Sequence, residues 1–441
     1  MAAADTPGDD LVAQARGLVI GQRMEDAEVA YREALDHSPD NPEALNFIAM
    51  CELGRGEFDA ACAHLEHAIH IDSQEASFRK NLGIAQLALG RAQEAIDTFD
   101  EVIAMDPKEF SARLHRAAAL ERLGNSYDAT TAYYRAIAIA QAAYLWRNRQ
   151  TTPASLQPLL QHAIGYIKQN QKRIFMEWMQ PAREQYGAAS VARIEAGLSI
   201  YLKEGATQYV DERQHCSFFY VPGLAASPFL DATKVPGMDD LARQGATFMA
   251  ELRLAEAAGR DLEPYFATHD LAILREQGVL DGGEDARLEA LYFYRDGDLE
   301  PLGRQGCPQT FAAVKSLPHP VEIERLGPNV YFVVLGPDTH VLPSQGLSNA
   351  RIHVEIPLWV SEPTVRQVAD TETAWQVGEP VAYDASFVHE LWNHGDESAA
   401  ALVLDAWHPD LSAAERMALT ALFEGISQFH VAAGVEPPFG N

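Results

Sequence analysis

Cysteine is scarce: the four in 441 residues, Cys51, Cys62, Cys216 and Cys307, stand far apart and form no CxxC pair. That spacing excludes a disulfide scaffold and a structural zinc site, so reduced thiols are expected. Positive charge is also short, with 34 Lys and Arg against 63 Asp and Glu, a formal charge of −29. Such a chain repels a phosphate surface, which argues against nucleic acid or an anionic membrane as partner and favours a neutral or basic one. No apolar run approaches membrane length, and the stretch from Met1 to Asp10 lacks the basic start and apolar core of a signal peptide. A cytoplasmic setting is expected. There is no phosphate-cradling glycine loop and no Gly-x-Ser-x-Gly elbow, which leaves nucleotide-binding and hydrolase readings without support.

What is present begins with a repeat. At a period of 34 the segments starting at Gly8, Pro42, Ala76 and Phe110 fall into register. Ala27, Ala61, Ala95 and Ala129 share one position, and Tyr31, Leu65, Phe99 and Tyr133 share the position four residues later. A further position carries Ala15, Ala49, Gly83 and Ala117, where one helix must come close to its neighbour. Gly56, Gly90 and Gly124 recur at the turn, while Pro39, Ser73 and Pro107 share the inter-repeat position. The pattern predicts four helical hairpins over residues 8–143 and resembles the tetratricopeptide repeat. Stacked hairpins make a superhelix with a concave face suited to an extended peptide or protein partner. Asn46, Met50, Lys80, Ile84, Leu114 and Ala118 are expected on that face.

Apolar spacings of three and four continue through Leu159, Ile164, Ile167, Ile174 and Trp178, which predicts a helical capping or linker region over 144–205. The period then changes. Ser217–Tyr220, Leu288–Tyr294, Val330–Leu335, Arg351–Val360 and Ala399–Trp407 read as short strands between Gly, Pro and Asp turns. Short strands after a long helical region predict an antiparallel sandwich or barrel over 206–434, and an α+β multidomain chain as a whole. Ser412 and Glu415 stand at capping-box spacing and open a last helix running toward Phe429.

Two stretches of this C-terminal part carry a family likeness: HVLPSQGLSNARIHVEIPL from His340 to Leu358, and DASFVHELWN from Asp384 to Asn393 followed by LDAWHPDL from Leu404 to Leu411. The shorter motifs FFYVPG (Phe218–Gly223) and ALYFYRDG (Ala290–Gly297) extend it over roughly residues 210–420. Together they resemble the aspartyl/asparaginyl β-hydroxylases. The resemblance implies a double-stranded β-helix, of jelly-roll or cupin type, that uses Fe(II), 2-oxoglutarate and oxygen to hydroxylate a peptide side chain. It also implies a set of site residues, and this chain departs from that set. His389 matches the second iron histidine, but Ser344 stands at the first, Glu355 at a cosubstrate-binding histidine, and Ala399 at the cosubstrate arginine. Arg351 is retained from the family pattern as a cofactor-binding candidate.

His353 and Glu355 lie two apart on an expected strand and so share a face. With His389 they supply two imidazoles and a carboxylate, ligand types that suit Fe(II) or another divalent metal in a relocated site. The alternative is that Glu355 pairs with Arg351, His353 or another polar neighbour in a cavity that holds no metal. His340 reads as a loop histidine, His408 as a structural hydrogen bonder, and Trp392 and Trp407 as core or rim aromatics. Two functions follow as expectations: a dioxygenase of altered site acting on a peptide or protein, or a non-catalytic pseudo-oxygenase that binds or regulates.

Overall fold

The small and large positions of the repeat dictate how the first third packs. In the computed structural model, which describes residues 7–258, 262–318, 320–361 and 363–439, the hairpins are Pro7–Ile20 with Met24–His37, Pro42–Arg55 with Phe58–Ile71, Ala76–Ala88 with Ala92–Met105, and Phe110–Arg122 with Ser126–Ala142. Ala27, Ala61, Ala95 and Ala129 are completely buried, and Tyr31, Leu65, Phe99 and Tyr133 fill the interior beside them. Gly56, Gly90 and Gly124 hold φ of +81°, +79° and +79°, the left-handed conformation that ends each first helix at low steric cost. At Gly83 an added Cβ would sit 2.7 Å from the Phe99 ring, so the expected close approach is real there. Of the residues expected on the concave face, Met50 is exposed, Asn46 accepts from Asn81 and Lys80 pairs with Glu109 at 2.8 Å. Leu114 is a correction: it is fully buried in the core of the last hairpin, because its neighbours Tyr133 and Ala136 close over it.

Helices continue through Gln157–Trp178, Gln180–Tyr186 and Ala192–Tyr201, as the apolar spacing predicts. The chain divides into two compact units, 1–174 with 429–435, and 175–428 with 436–441, so the boundary falls inside this helical stretch. Within the first unit Phe429 packs edge-on against Tyr134 at 5.4 Å between ring centroids.

Among its described residues the second unit has thirteen strands: β1 (Phe229–Leu230), β2 (Glu263–Pro264), β3 (Leu280–Gly282), β4 (Leu288–Arg295), β5 (Asp298–Leu299), β6 (Val330–Leu335), β7 (Thr339–Ser344), β8 (Arg351–Trp359), β9 (Thr364–Val368), β10 (Thr371–Ala374), β11 (Val381–Tyr383), β12 (His389–Asn393) and β13 (Ala399–Trp407). They pair antiparallel into an eight-stranded sheet, in the order β1-β11-β8-β13-β6-β4-β2 with β5 on β4, and a five-stranded sheet β10-β9-β12-β7-β3. The period-2 alternation sorts side chains between two cores. Ile352, Val354 and Ile356 of β8 join Phe248 and Leu252 of the helix Gly245–Ala257 on one face of the large sheet. Val333, Ala401 and Val403 meet Leu280, Leu391 and Trp375 between the sheets.

One expected strand is absent. Ser217–Tyr220 is irregular apart from an isolated bridge between Phe219 and Ser348, because the amides of Phe218 and Phe219 both donate to the Leu347 carbonyl and no ladder can form. Phe218 and Phe219 pack instead on Phe423. Phe423 lies on the last helix, Ala413–Ala432, whose capping box is made: the Ser412 amide donates to Glu415 and the Glu415 amide to Ser412 Oγ. Arg193 adds a two-pronged clasp on Glu415 at 2.6 and 2.8 Å.

Candidate functional site

Antiparallel register brings the odd-numbered residues of β8 opposite those of its neighbours. His353 lies across from Asp405 of β13 and Tyr383 of β11, while Glu355 lies across from Val403 and Val381. On the facing sheet, His389 of β12 is registered with Ser344 of β7, and Leu391 with Arg366 of β9. These alternations converge on a cavity of about 250 Å³ lined by Ser344, His353, Glu355, Arg366, Tyr383 and His389, with Tyr265, Tyr331 and aliphatic residues completing the wall. A larger cavity of about 730 Å³ draws on Leu404 and Ala406 of the helix-covered face and on Arg416 and Glu424. It includes none of the three candidate ligands, and the smaller cavity is the one that joins residues of both sheets.

The floor of the smaller cavity is an ion pair. Glu355, 1% exposed, accepts from Arg366 through both Nη2 and Nε, the latter at 3.3 Å, and from the Trp375 indole N–H at 2.9 Å. The Arg366 guanidinium lies over the Tyr383 ring, 4.7 Å from its centroid. Burial is the largest influence and works against its charge, but the Glu355 carboxylate together with Tyr383 and Tyr331 outweighs it, and the guanidinium is held more firmly protonated than usual. Loss of solvation pushes the buried Tyr383 hydroxyl well above its ordinary range.

The imidazoles are neutral. His389 donates from Nδ1 to the Phe387 carbonyl at 3.0 Å, which leaves Nε2 as an acceptor 3.4 Å from Ser344 Oγ. Burial, and then the charge of Arg366, push its pKa down to about 3. His353 is lowered too, by burial first, although Asp405 at 3.7 Å works in the other direction. The two rings are 6.4 Å apart between centroids.

Other candidates stand elsewhere. Arg351 is outside the cavity lining; its Nη1 donates to the Leu326 carbonyl at 2.5 Å and to Asp405 at 3.2 Å, and so ties β8 to β13 and the loop before β6. Ala399 is fully buried in the apolar layer between the sheets. His340 is not the loop histidine expected but stands on β7, paired across from Trp392 of β12, on which it stacks with ring centroids 3.4 Å apart, and it bonds Glu390 at 2.6 Å. His408 contacts the Ala225 carbonyl and accepts from the Asp410 amide, the structural bonding expected of it.

Residues 266–409 match the model of the aspartyl/asparaginyl beta-hydroxylase family, and 19–80 and 52–121 match tetratricopeptide-repeat models. The chain carries a β-hydroxylase-family domain behind tetratricopeptide repeats. Human aspartyl/asparaginyl beta-hydroxylase is 21% identical over 421 residues, covering 91% of this chain and 53% of that protein. Human aspartate beta-hydroxylase domain-containing protein 2 is 24% identical over 253 residues, 56% of this chain and 64% of that one. The chain therefore spans between half and two thirds of the length of these relatives. Among solved structures, the first tetratricopeptide-repeat domain of Spaghetti, bound to an HSP90 peptide, aligns with 28% of this chain and 97% of its own, at 18% identity and a TM-score of 0.26.

The β-hydroxylase-family cavity does not fit iron and 2-oxoglutarate as its side chains stand. Opposite the His389 acceptor nitrogen is a neutral hydroxyl, the carboxylate is turned to Arg366 and Trp375, and the cavity's guanidinium is taken by that carboxylate. Among the described residues no three His, Cys, Asp or Glu side chains are grouped to hold a metal ion. His353, Glu355 and His389 thus share one cavity without converging on one point. Nothing in the sequence expectations points to Arg366 or Trp375. A charged residue at the buried register of Thr364-Val-Arg366-Gln-Val368 was the available signal, since a half-buried strand rarely hides an unpaired guanidinium.

Proposed function

We propose that this protein is a scaffold for a peptide or protein partner, and that its β-hydroxylase-family domain serves recognition rather than iron and 2-oxoglutarate chemistry. The observation that carries this reading is the pairing of Glu355 with Arg366 and Trp375 on the cavity floor. A dianionic cosubstrate entering there meets a carboxylate and finds the guanidinium already neutralised. Losing a charged partner of that kind costs about 2–5 kcal/mol, which is orders of magnitude in affinity. Repeat arrays present concave surfaces to extended peptides, and the formal charge of −29 favours a basic or neutral partner. The scattered cysteines support a cytoplasmic setting.

A second reading keeps a divalent metal at His353, His389 and Glu355 and makes the protein a dioxygenase of altered site. It is favoured by the two neutral imidazoles facing one cavity, and it requires Glu355 to leave Arg366. The metal content of protein purified without chelator, with titration of 2-oxoglutarate after iron loading, separates the two. Recognition predicts substoichiometric iron and no saturable 2-oxoglutarate binding; one iron per chain with saturable binding overturns it.

A further inference from the structure

The Glu355–Arg366 pair is an unusual way to floor a cavity. Arg366 is 6% exposed, stacked on Tyr383, and presents two N–H groups in the planar fork that matches a carboxylate. What fills that fork is a side chain of the protein itself, delivered from the neighbouring sheet and also bonded by the Trp375 indole, which donates to the same Glu355 oxygen as Arg366 Nε. Around the pair the cavity offers only uncharged groups: tyrosine hydroxyls, the Ser344 hydroxyl, imidazoles and aliphatic carbons. Its volume of about 250 Å³ equals roughly eight waters at ~30 Å³ each, the room of one amino-acid side chain or a small ring.

We propose that Arg366 is a carboxylate subsite which the protein occupies with its own Glu355, so that the native cavity discriminates against anionic ligands and becomes a carboxylate site once Glu355 is removed. The inference rests on the reading of this cavity as the domain's ligand site. Electrostatics supply the discrimination: the pair has no net charge, and a second carboxylate brought beside it faces Glu355 at short range with no unspent cation. An uncharged entrant carries no such penalty and finds hydrogen-bond donors and acceptors on the wall.

The test compares succinate with its uncharged diamide, succinamide, on the full chain and on Glu355→Ala, read by tryptophan fluorescence with Trp375 as the reporter on the floor. Succinate is expected to bind Glu355→Ala at least tenfold more tightly than wild type, succinamide to show no such gain, and the added Arg366→Gln to abolish the succinate gain. Equal gains for both compounds, no gain for either, or a gain that survives Arg366→Gln would overturn the proposal. Should Glu355→Ala fail to fold, refolding yield becomes the readout. Rescue by formate, with none from sodium chloride at equal ionic strength, supports the subsite, and absence of rescue overturns it. The outcomes also separate the two readings: 2-oxoglutarate turnover by wild type removes the proposed function, whereas an inactive wild type with no succinate gain in the variant removes this inference alone.

Discussion

Breaking the Glu355–Arg366 pair from one side should be far more costly than removing it whole. In Arg366→Met the Glu355 carboxylate, 1% exposed, keeps only the Trp375 indole as donor. In Glu355→Gln the guanidinium keeps the Tyr383 face but loses its counter-charge. Removing one partner of a buried pair costs about 3–5 kcal/mol, because the survivor stays desolvated and uncompensated. The double variant leaves a neutral amide and an apolar chain of similar volume, and replacements of that kind are often neutral, so it should lie within about 1 kcal/mol of wild type. The coupling between the sites is then at least about 5 kcal/mol, larger than the roughly 0.5–3 kcal/mol usual for contacting residues, because each single variant leaves a buried charge uncompensated. Urea denaturation followed by tryptophan fluorescence reads this in the right place, since Trp178, Trp359, Trp375, Trp392 and Trp407 lie in the second unit and Trp146 in the first. Single variants that each cost less than about 1 kcal/mol and simply add would show that the two side chains are not an energetically coupled buried pair.

Other expectations follow from particular contacts. Burial raises the pKa of Asp384 from 3.8 to about 6 despite bonds from Ser386 and Gln214, so the stability it contributes is fully present below pH 3.8 and lost as pH rises through 6. Relative to Asp384→Asn, wild type should therefore gain roughly 2–3 kcal/mol as pH falls from 7 to 4, measured as the difference between denaturation midpoints; a flat difference would count against the raised pKa. Gly83→Ala drives a Cβ into the Phe99 ring and should destabilise the repeat unit by about 1–3 kcal/mol, with Phe99→Leu, the residue type at equivalent position 65, restoring most of it. Circular dichroism melts of the two variants check this. Ser344→His, Glu355→His and Ala399→Arg together should recover iron and 2-oxoglutarate binding seen by calorimetry, whereas each alone should recover little, since ligands of one site act as a unit.

How much of this was legible in the chain depends on whether the signal is periodic. Three hairpins begin at Pro42, Ala76 and Phe110, where the 34-residue register puts them, and the first begins at Pro7, one residue before its register position Gly8, because each repeat packs its small and large positions against its immediate neighbours. Strands β6 and β13 run over 330–335 and 399–407 as the apolar runs indicate. Ser217–Tyr220 misled because aromatic composition alone does not say whether a backbone partner is free. The placement of Glu355 was equally open: alternation puts it on the face of His353, but whether it turns to a metal or to a cation depends on β9, in the other sheet. Arg366 is eleven residues away in sequence and reaches Glu355 only when the sheets stack, so no local pattern names it as the partner.

Whether the cavity supports iron and 2-oxoglutarate chemistry is read by succinate formation from 2-oxoglutarate by the wild-type chain, with Fe(II), ascorbate and oxygen supplied, beside an intact family member under the same conditions. The wild-type chain is expected to give background succinate only, unchanged by His389→Ala. Robust iron-dependent succinate production that His389→Ala abolishes would contradict that expectation and show that Glu355 yields Arg366 to the cosubstrate.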